Sequence, residues 1–294
     1  MPVDLPRLDI VDKIRSAFAR EAATALDVVG PWGSAKSVIA LQTALALERS
    51  LILITAGRIE AENAYEDICT FAGEDRCALL PAWEVLPSDI MAPSDDIVAE
   101  RMNTLKRLTS AFGRGEPMYV TVPVDSLLQY VIDKDRLQEQ ILNIAVGAEY
   151  DLEELVAKLI KMGYERELMV ENRGEISVRG GIMDVFPISS ELPYRIEFFG
   201  DEIESIRRFE PESQRSIGGV DMVQILPRSE KGLISRHANL PCGLVPFTAY
   251  FPEETLVVID EPLSIVQESF ALQRQFGESP YFMNWDDAMA HLAC

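Results

Sequence analysis

Between residues 25 and 131 the chain alternates short apolar runs with longer stretches of helical period. "ALDVVG", "LILIT", "CALLP" and "MYVTV" are continuous apolar runs of strand length. "SVIALQTALALER", "RIEAENAYEDICTFAG" and "SDDIVAERMNTLKRLTSAFGRG" repeat apolar residues every three to four positions and predict helices. Gly73 stops the second of these, and Ser94 or Asp95 begins the third. "PVDSLLQYV" predicts a further helix with Pro123 in its first turn, and residues 11–24 an amphipathic helix ahead of the whole series. Strands that are apolar on both faces belong in a parallel sheet covered by helices. The pattern therefore predicts a doubly wound α/β domain.

The period changes after residue 150. "DLEELVAKLIKMGY" carries Asp151 at the cap, Glu154 three residues on and Gly163 past the end, so it predicts a capped helix. From 164 to 226 the chain reads as hairpins: "YERELMV" into "EISVRGGIMDVFP", then "YRIEFFG" into "EIESIRRFEP". This segment predicts an α+β domain with an antiparallel sheet, inserted into the first domain. "TLVVIDEP" is then a buried strand ending at Asp260–Glu261, expected to rejoin the α/β sheet. The expected domains are 1–130, an insertion at 131–227, and 228–294 with a helix-like tail.

Composition narrows the partners. The 294 residues carry a net charge of −21, which on average repels nucleic acid and anionic membranes. Four cysteines without a C-x-x-C pair, and two histidines distant from most of them, predict no zinc site and no disulfide framework. Reduced thiols fit a cytoplasmic protein. "MPVDLPRLDI" lacks the apolar run of a signal peptide, and no run is long enough to span a membrane.

One loop carries candidate chemistry. "GPWGSAKS", Gly30 to Ser37, matches G-x-x-x-x-G-K-[ST] except that Ala35 replaces the second glycine. The apolar run at 25–29 predicts a strand leading into it. In a working loop of this kind Gly30 and Gly33 shape the turn, backbone N–H groups hold phosphates, Lys36 reaches the β/γ-phosphates and Ser37 holds Mg²⁺. Asp260 and Glu261 would add a metal contact and a base. Ala35 opposes this: a Cβ at positive φ costs about 1 kcal/mol, and at negative φ its methyl crowds the phosphate path. A relic, a nucleotide binder and an ATPase all stay open at this point.

Three segments carry a family resemblance: Leu80 to Leu105, with "LPAWEVLPSDIMAPSDD"; Gly174 to Ile217, with "GEISVRGGIMDVFPISSELPYRIEFFGDEIESIRRFEP"; and "TLVVIDEP". Over residues 25–262 the chain resembles the N-terminal UvrB-homology region of the bacterial transcription-repair coupling factors (Mfd). The resemblance implies a RecA-like P-loop parallel-sheet domain interrupted by an inserted α+β domain that binds UvrA. It implies a role in transcription-coupled nucleotide excision repair of DNA damage, with UvrA recruited to stalled RNA polymerase. In that family the motor and the contacts to RNA polymerase and DNA belong to other domains, and the first domain has no ATPase. UvrB keeps a full loop and an Asp–Glu–Ser–His box, whereas here Pro262–Leu263 follows Asp260–Glu261. No catalytic residue, metal ligand or required cofactor is therefore expected, and weak ATP/Mg²⁺ binding through Gly30, Gly33, Lys36, Ser37, Asp260 and Glu261 stays open. The alternative is a UvrB-like ATPase domain.

Every basic residue from Glu165 to Pro227 is an arginine, the residue that pairs carboxylates through a planar fork. Strand alternation in "YRIEFFG" sets Tyr194, Ile196 and Phe198 on a core face, with Arg195, Glu197 and Phe199 on the other. The resemblance assigns UvrA contacts to Arg179, Arg195 and Phe199. The plainer alternatives are a solvated sheet face for Arg207 and Arg208, and packing of Phe199 on the helix at 151–162. Trp83 is read as a core residue.

Overall fold

The computed structural model describes residues 8–19, 25–83, 94–228, 235–237, 240–277 and 279–292. The chain starts with α1 (Asp9–Ala19), α2 (Ala35–Leu47), β1 (Leu51–Thr55), α3 (Arg58–Ala72), β2 (Cys77–Leu79), α4 (Asp95–Gly113) and β3 (Tyr119–Pro123). Then come α5 (Val124–Leu127), β4 (Val131–Ile132), α6 (Lys134–Gln140), β5 (Leu142–Ala145), α7 (Leu152–Lys161), β6 (Glu165–Arg166), β7 (Glu175–Arg179) and β8 (Ile182–Val185). They are followed by β9 (Tyr194–Phe199), β10 (Glu202–Phe209), β11 (Ser216–Gly219), β12 (Met222–Ile225), β13 (Ser235–His237), β14 (Leu240–Cys242) and β15 (Leu244–Val245). The last are β16 (Leu256–Ile259), α8 (Pro262–Phe276) and α9 (Trp285–Leu292). The chain divides into two compact units, 1–82 with 107–131 and 245–294, and 83–106 with 132–244.

The first unit holds a parallel sheet in the order β16-β1-β3-β2. β1 pairs with β16 from Leu51↔Leu256 to Ile54↔Ile259, so "TLVVIDEP" does join the α/β sheet. All five positions of β1 and of β3 are buried, as their unbroken apolar runs predict. α2 and α3 cover the sheet, with Ala40, Leu41, Ala64 and Ile68 packed on Leu51, Leu53 and Tyr119. Gly73 ends α3 at φ 86, and its N–H donates to the Cys69 carbonyl. Ser94 caps α4: its Oγ accepts from the Ile97 N–H at 3.4 Å.

One expected strand is absent. Residues 25–29 form no ladder, and Val29 is 94% exposed. The four-stranded sheet ends at β16 and β2, and residues 25–29 pair with neither. α1 ends at Ala19, and residues 20–24 of the expected helix lie outside the described residues.

The second unit holds a six-stranded sheet in the order β11-β10-β9-β8-β7-β6. α7 begins at Asp151, whose Oδ1 accepts from the Glu154 N–H at 2.9 Å. Its Leu155, Val156 and Leu159 join Ile176, Met183, Val185, Ile196 and Ile206 in one core. Tyr194 and Phe198 pack against the same core, so the alternation along "YRIEFFG" sorts as expected. The β6–β7 pair departs from the hairpin reading, because it is parallel, with Glu165↔Glu175 and Arg166↔Ile176. Residues 167–174 loop back before β7 begins, and Glu175 ties that loop off. Its Oε2 accepts from the N–H groups of Glu171 and Asn172 at 2.7 and 2.8 Å.

Candidate functional sites

The glycine-bearing loop of the first unit is built around two positive-φ glycines, Gly30 at 106° and Gly33 at 58°. A side chain would meet no atom at either position, so backbone conformation alone selects glycine. The loop is reached from coil, since the strand expected before it does not form. Ala35 is the first residue of α2 and is not at positive φ, so the strain that its methyl would cause in a left-handed turn does not arise. The N–H groups of Ala35 and Lys36 donate back into the loop, to the carbonyls of Trp32 and Gly33 at 3.3 and 3.2 Å. Ser37 lies buried in the first turn of α2.

Lys36 meets two carboxylates. Its Nζ stands 2.8 Å from Asp260 Oδ1 and 2.7 Å from Glu261 Oε1. Hydrogen bonds donated to Asp260 and Glu261 hold the ammonium above its ordinary pKa, against the opposing effect of burial. Glu261 reaches this position from φ 54, a left-handed backbone at the N-cap of α8 with Pro262 following. For a residue with a Cβ that conformation costs about 1–2 kcal/mol. Lys36, Asp260 and Glu261, proposed from sequence, are thus brought together. The charge that would meet a phosphate is matched by carboxylates, and two of the loop N–H groups point inward. Among the described residues no group of three or more His, Cys, Asp or Glu could hold a metal ion.

The second site is the polar face of the six-stranded sheet. Ser177, Asp184, Arg195 and Arg207 are successive cross-strand partners on that face. Arg179, Ile182 and Glu197 form the next row. Phe199 projects from the end of β9 and is 79% exposed, so it does not pack on α7. Next to it the chain must stay thin: a Cβ on Gly181 would stand 3.0 Å from the Phe198 carbonyl oxygen.

Arg195 is held from every side. Its Nε donates to Asp184 Oδ1 at 2.7 Å and its Nη2 to Asp184 Oδ2 at 2.8 Å. Its guanidinium lies 4.6 Å from the centroid of the Phe209 ring. Gln214, at φ 58, accepts from Nη1 through its backbone carbonyl and from Nη2 through Oε1. The hydrogen bonds that Arg195 donates to Asp184 raise its pKa further. Arg179 is exposed, and its Nη2 donates to the Leu168 carbonyl at 2.6 Å. Arg207 pairs with Glu197 at 3.0 Å on this face, whereas Arg208 is the cross-strand partner of Tyr194 and lies over its ring. Sequence reading missed Asp184, Phe209 and Gln214 as the frame of Arg195. The one available signal was a lone carboxylate inside the apolar strand "IMDV".

This sheet and α7 fall within residues 142–230, which match the family model described as the UvrB interaction domain. Those residues are similar to the UvrB interaction domain family. The chain is also similar to the transcription-repair-coupling factor of Bacillus subtilis (strain 168), 35% identical over 204 residues, which are 69% of this chain and 17% of that protein. It is 38% identical to the Mycobacterium bovis factor over 200 residues, 67% of this chain and 16% of that protein. Its identity to the Staphylococcus aureus (strain USA300) factor is 32% over 203 residues, 69% of this chain and 17% of that one. The chain thus spans only a small part of these relatives' length. Arg179, Arg195 and Phe199 lie inside residues 142–230 that match the family model, whereas Lys36, Asp260 and Glu261 lie outside them. Trp83 of the "AWEVLP" segment is buried, with the Arg101 guanidinium 4.3 Å from the centroid of its ring. Residues 84–93 of that segment lie outside the described residues. No described helix is long and apolar enough to cross a membrane.

Proposed function

We propose that this chain is the UvrA-binding module of a transcription-repair coupling factor, which recruits nucleotide excision repair to stalled RNA polymerase. The observation that carries the reading is the composition of one sheet face within the UvrB interaction domain: Phe199 at 79% exposure beside an arginine-bearing polar surface. An exposed aromatic ring among fixed arginines is the composition of a binding hot spot. RNA polymerase and DNA would be contacted through domains outside these residues, in the cytoplasm.

The first unit is then a RecA-like scaffold with a degenerate nucleotide site. The ion pairs of Lys36 with Asp260 and Glu261 support this, as does the missing strand before the loop. ATP and Mg²⁺ are not required for UvrA binding in this reading, and any affinity for them is weak.

Titration calorimetry with purified UvrA tests the proposal. Wild-type chain is expected to bind, and Phe199→Ala with Arg179→Ala to bind at least about tenfold more weakly, the effect of losing one hot-spot contact. Unchanged affinity in that double variant, with the fold intact by circular dichroism, would rule this face out.

A further inference from the structure

Leu168 is the most exposed large apolar side chain of the UvrB interaction domain, at 90%. Single exposed leucines are ordinary on protein surfaces. This one differs in how its backbone is held. Its carbonyl oxygen accepts from Ser177 Oγ at 2.9 Å and from Arg179 Nη2 at 2.6 Å. One residue earlier, the Glu167 N–H donates to the Ile176 carbonyl at 2.8 Å. Two residues later, Val170 is fully buried with Phe186 and Phe209, and its carbonyl accepts from Gln214 Nε2 at 3.3 Å. The chain is anchored before, at and after Leu168 while the side chain is left in water. Ordering a loop is the usual entropic cost of binding through it, and here folding has already met that cost.

Leu168 also stands in a chemical context. Arg179, which grips its carbonyl, is the cross-strand partner of Ile182, itself 38% exposed. Ile182 in turn pairs with Glu197, two residues before Phe199 on β9. Exposed apolar groups at Leu168, Ile182 and Phe199 thus alternate with charged groups across three adjacent strands and the loop beside them.

We propose that Leu168 is an apolar contact of UvrA, and that Arg179 and Ser177 are positioning residues that present it. The inference rests on the UvrA-binding reading above and extends its surface to the loop between β6 and β7. It also gives Arg179 a second role, since one of its donors is spent on this loop rather than on a partner.

The experiment measures UvrA affinity by titration calorimetry for wild type, Leu168→Ala, Phe199→Ala, Arg179→Ala, Arg179→Lys and the double variant Leu168→Ala with Arg179→Ala. The thermal midpoint of each is recorded, and an exposed leucine should leave it unchanged. Leu168→Ala is expected to weaken binding about tenfold. Arg179→Lys, which keeps a donor for the carbonyl, should retain more affinity than Arg179→Ala. Adding Arg179→Ala to Leu168→Ala should cost less than it does alone, because the group being positioned is already gone. Faster amide exchange at 167–170 in Arg179→Ala would mark the released loop. Wild-type affinity in Leu168→Ala alongside a loss in Phe199→Ala overturns this inference and leaves the UvrA reading standing. Full additivity of the two losses overturns the positioning role. Absence of UvrA binding by the wild-type chain overturns both readings.

Discussion

Arg195 and Asp184 meet as a two-pronged pair across neighbouring strands, Nε to Oδ1 at 2.7 Å and Nη2 to Oδ2 at 2.8 Å. Asp184 is nearly buried and the Arg195 side chain is 20% exposed, so water screens this pair less than the exposed pairs around it. The fork fixes the guanidinium plane against Phe209 and leaves it little freedom. Any contact that Arg195 makes with a partner is therefore made from a preset geometry.

Removing one member of that pair should cost more than removing both. Asp184→Ala is expected to destabilise the unit by about 1–3 kcal/mol, since it strands a charge and several donors. Urea unfolding of Asp184→Ala, Arg195→Ala and the double variant gives the coupling. Simple additivity of the two single losses would show that the fork carries no stability.

The Lys36 pairing makes a claim about nucleotides. Titration with Mg·ATP is expected to give no saturable binding in wild type or in Lys36→Ala, because Asp260 and Glu261 already match the charge. Saturable binding that Lys36→Ala abolishes would restore the loop as a nucleotide site.

Glu175 predicts a response to acid. Burial pushes its pKa up, but the N–H groups of Asn172 and Glu171 and the Asn172 side chain outweigh this and hold it below the ordinary value. A depressed carboxylate stabilises the fold above its unfolded pKa of about 4.3, and that stability is lost as pH falls through the lower folded value. The loop at 171–174 is therefore expected to be intact at neutral pH and to loosen as pH falls below the ordinary glutamate range. Amide chemical shifts of Glu171 and Asn172 report it. Their failure to titrate together with the Glu175 carboxyl would count against the cap.

Gly174 should tolerate no side chain. It sits at φ 83, and a Cβ there would collide with the Arg228 side chain. Arg228 makes paired hydrogen bonds to Asp95 at 3.2 and 3.1 Å and an ion pair with Glu165 at 2.8 Å. Gly174→Ala is expected to lower stability by more than about 1 kcal/mol through backbone strain and displacement of that arginine. Gly113→Ala serves as the control, since its Cβ would meet nothing and its φ is not positive. Equal thermal midpoints for the two variants would refute the argument.

Core truncation sets the scale for these effects. Ile196 is fully buried between α7 and the sheet. Ile196→Ala should cost about 2–5 kcal/mol in urea unfolding, through lost burial and the cavity left behind. A loss well under 1 kcal/mol would mean that β9 does not seat this core.

Periodicity and chain punctuation were sufficient for most elements. Unbroken apolar runs marked β1 and β3, because a strand buried on both faces has no polar side to show. Asp151, Glu154 and Gly163 marked both ends of α7, because capping is a local hydrogen-bonding problem solved within a few residues. Alternation along β9 separated Ile196 from Arg195 and Phe199 for the same local reason. These features the sequence determined by itself.

Tertiary structure decided what depends on groups far apart in the chain. The run at 25–29 had strand composition, yet no sheet receives it. Lys36 had the spacing of a phosphate ligand, yet its charge is matched by carboxylates 224 and 225 residues away. Arg195 could be placed from sequence only on the polar face of its strand, and the fold closes Asp184, Phe209 and Gln214 around it. Leu168 read as part of the hairpin strand "YERELMV", and only the donors of Ser177 and Arg179 set it apart. Local sequence determines which backbone a segment prefers. What a charge or a carbonyl meets is determined by strand order and register, which are properties of the whole fold.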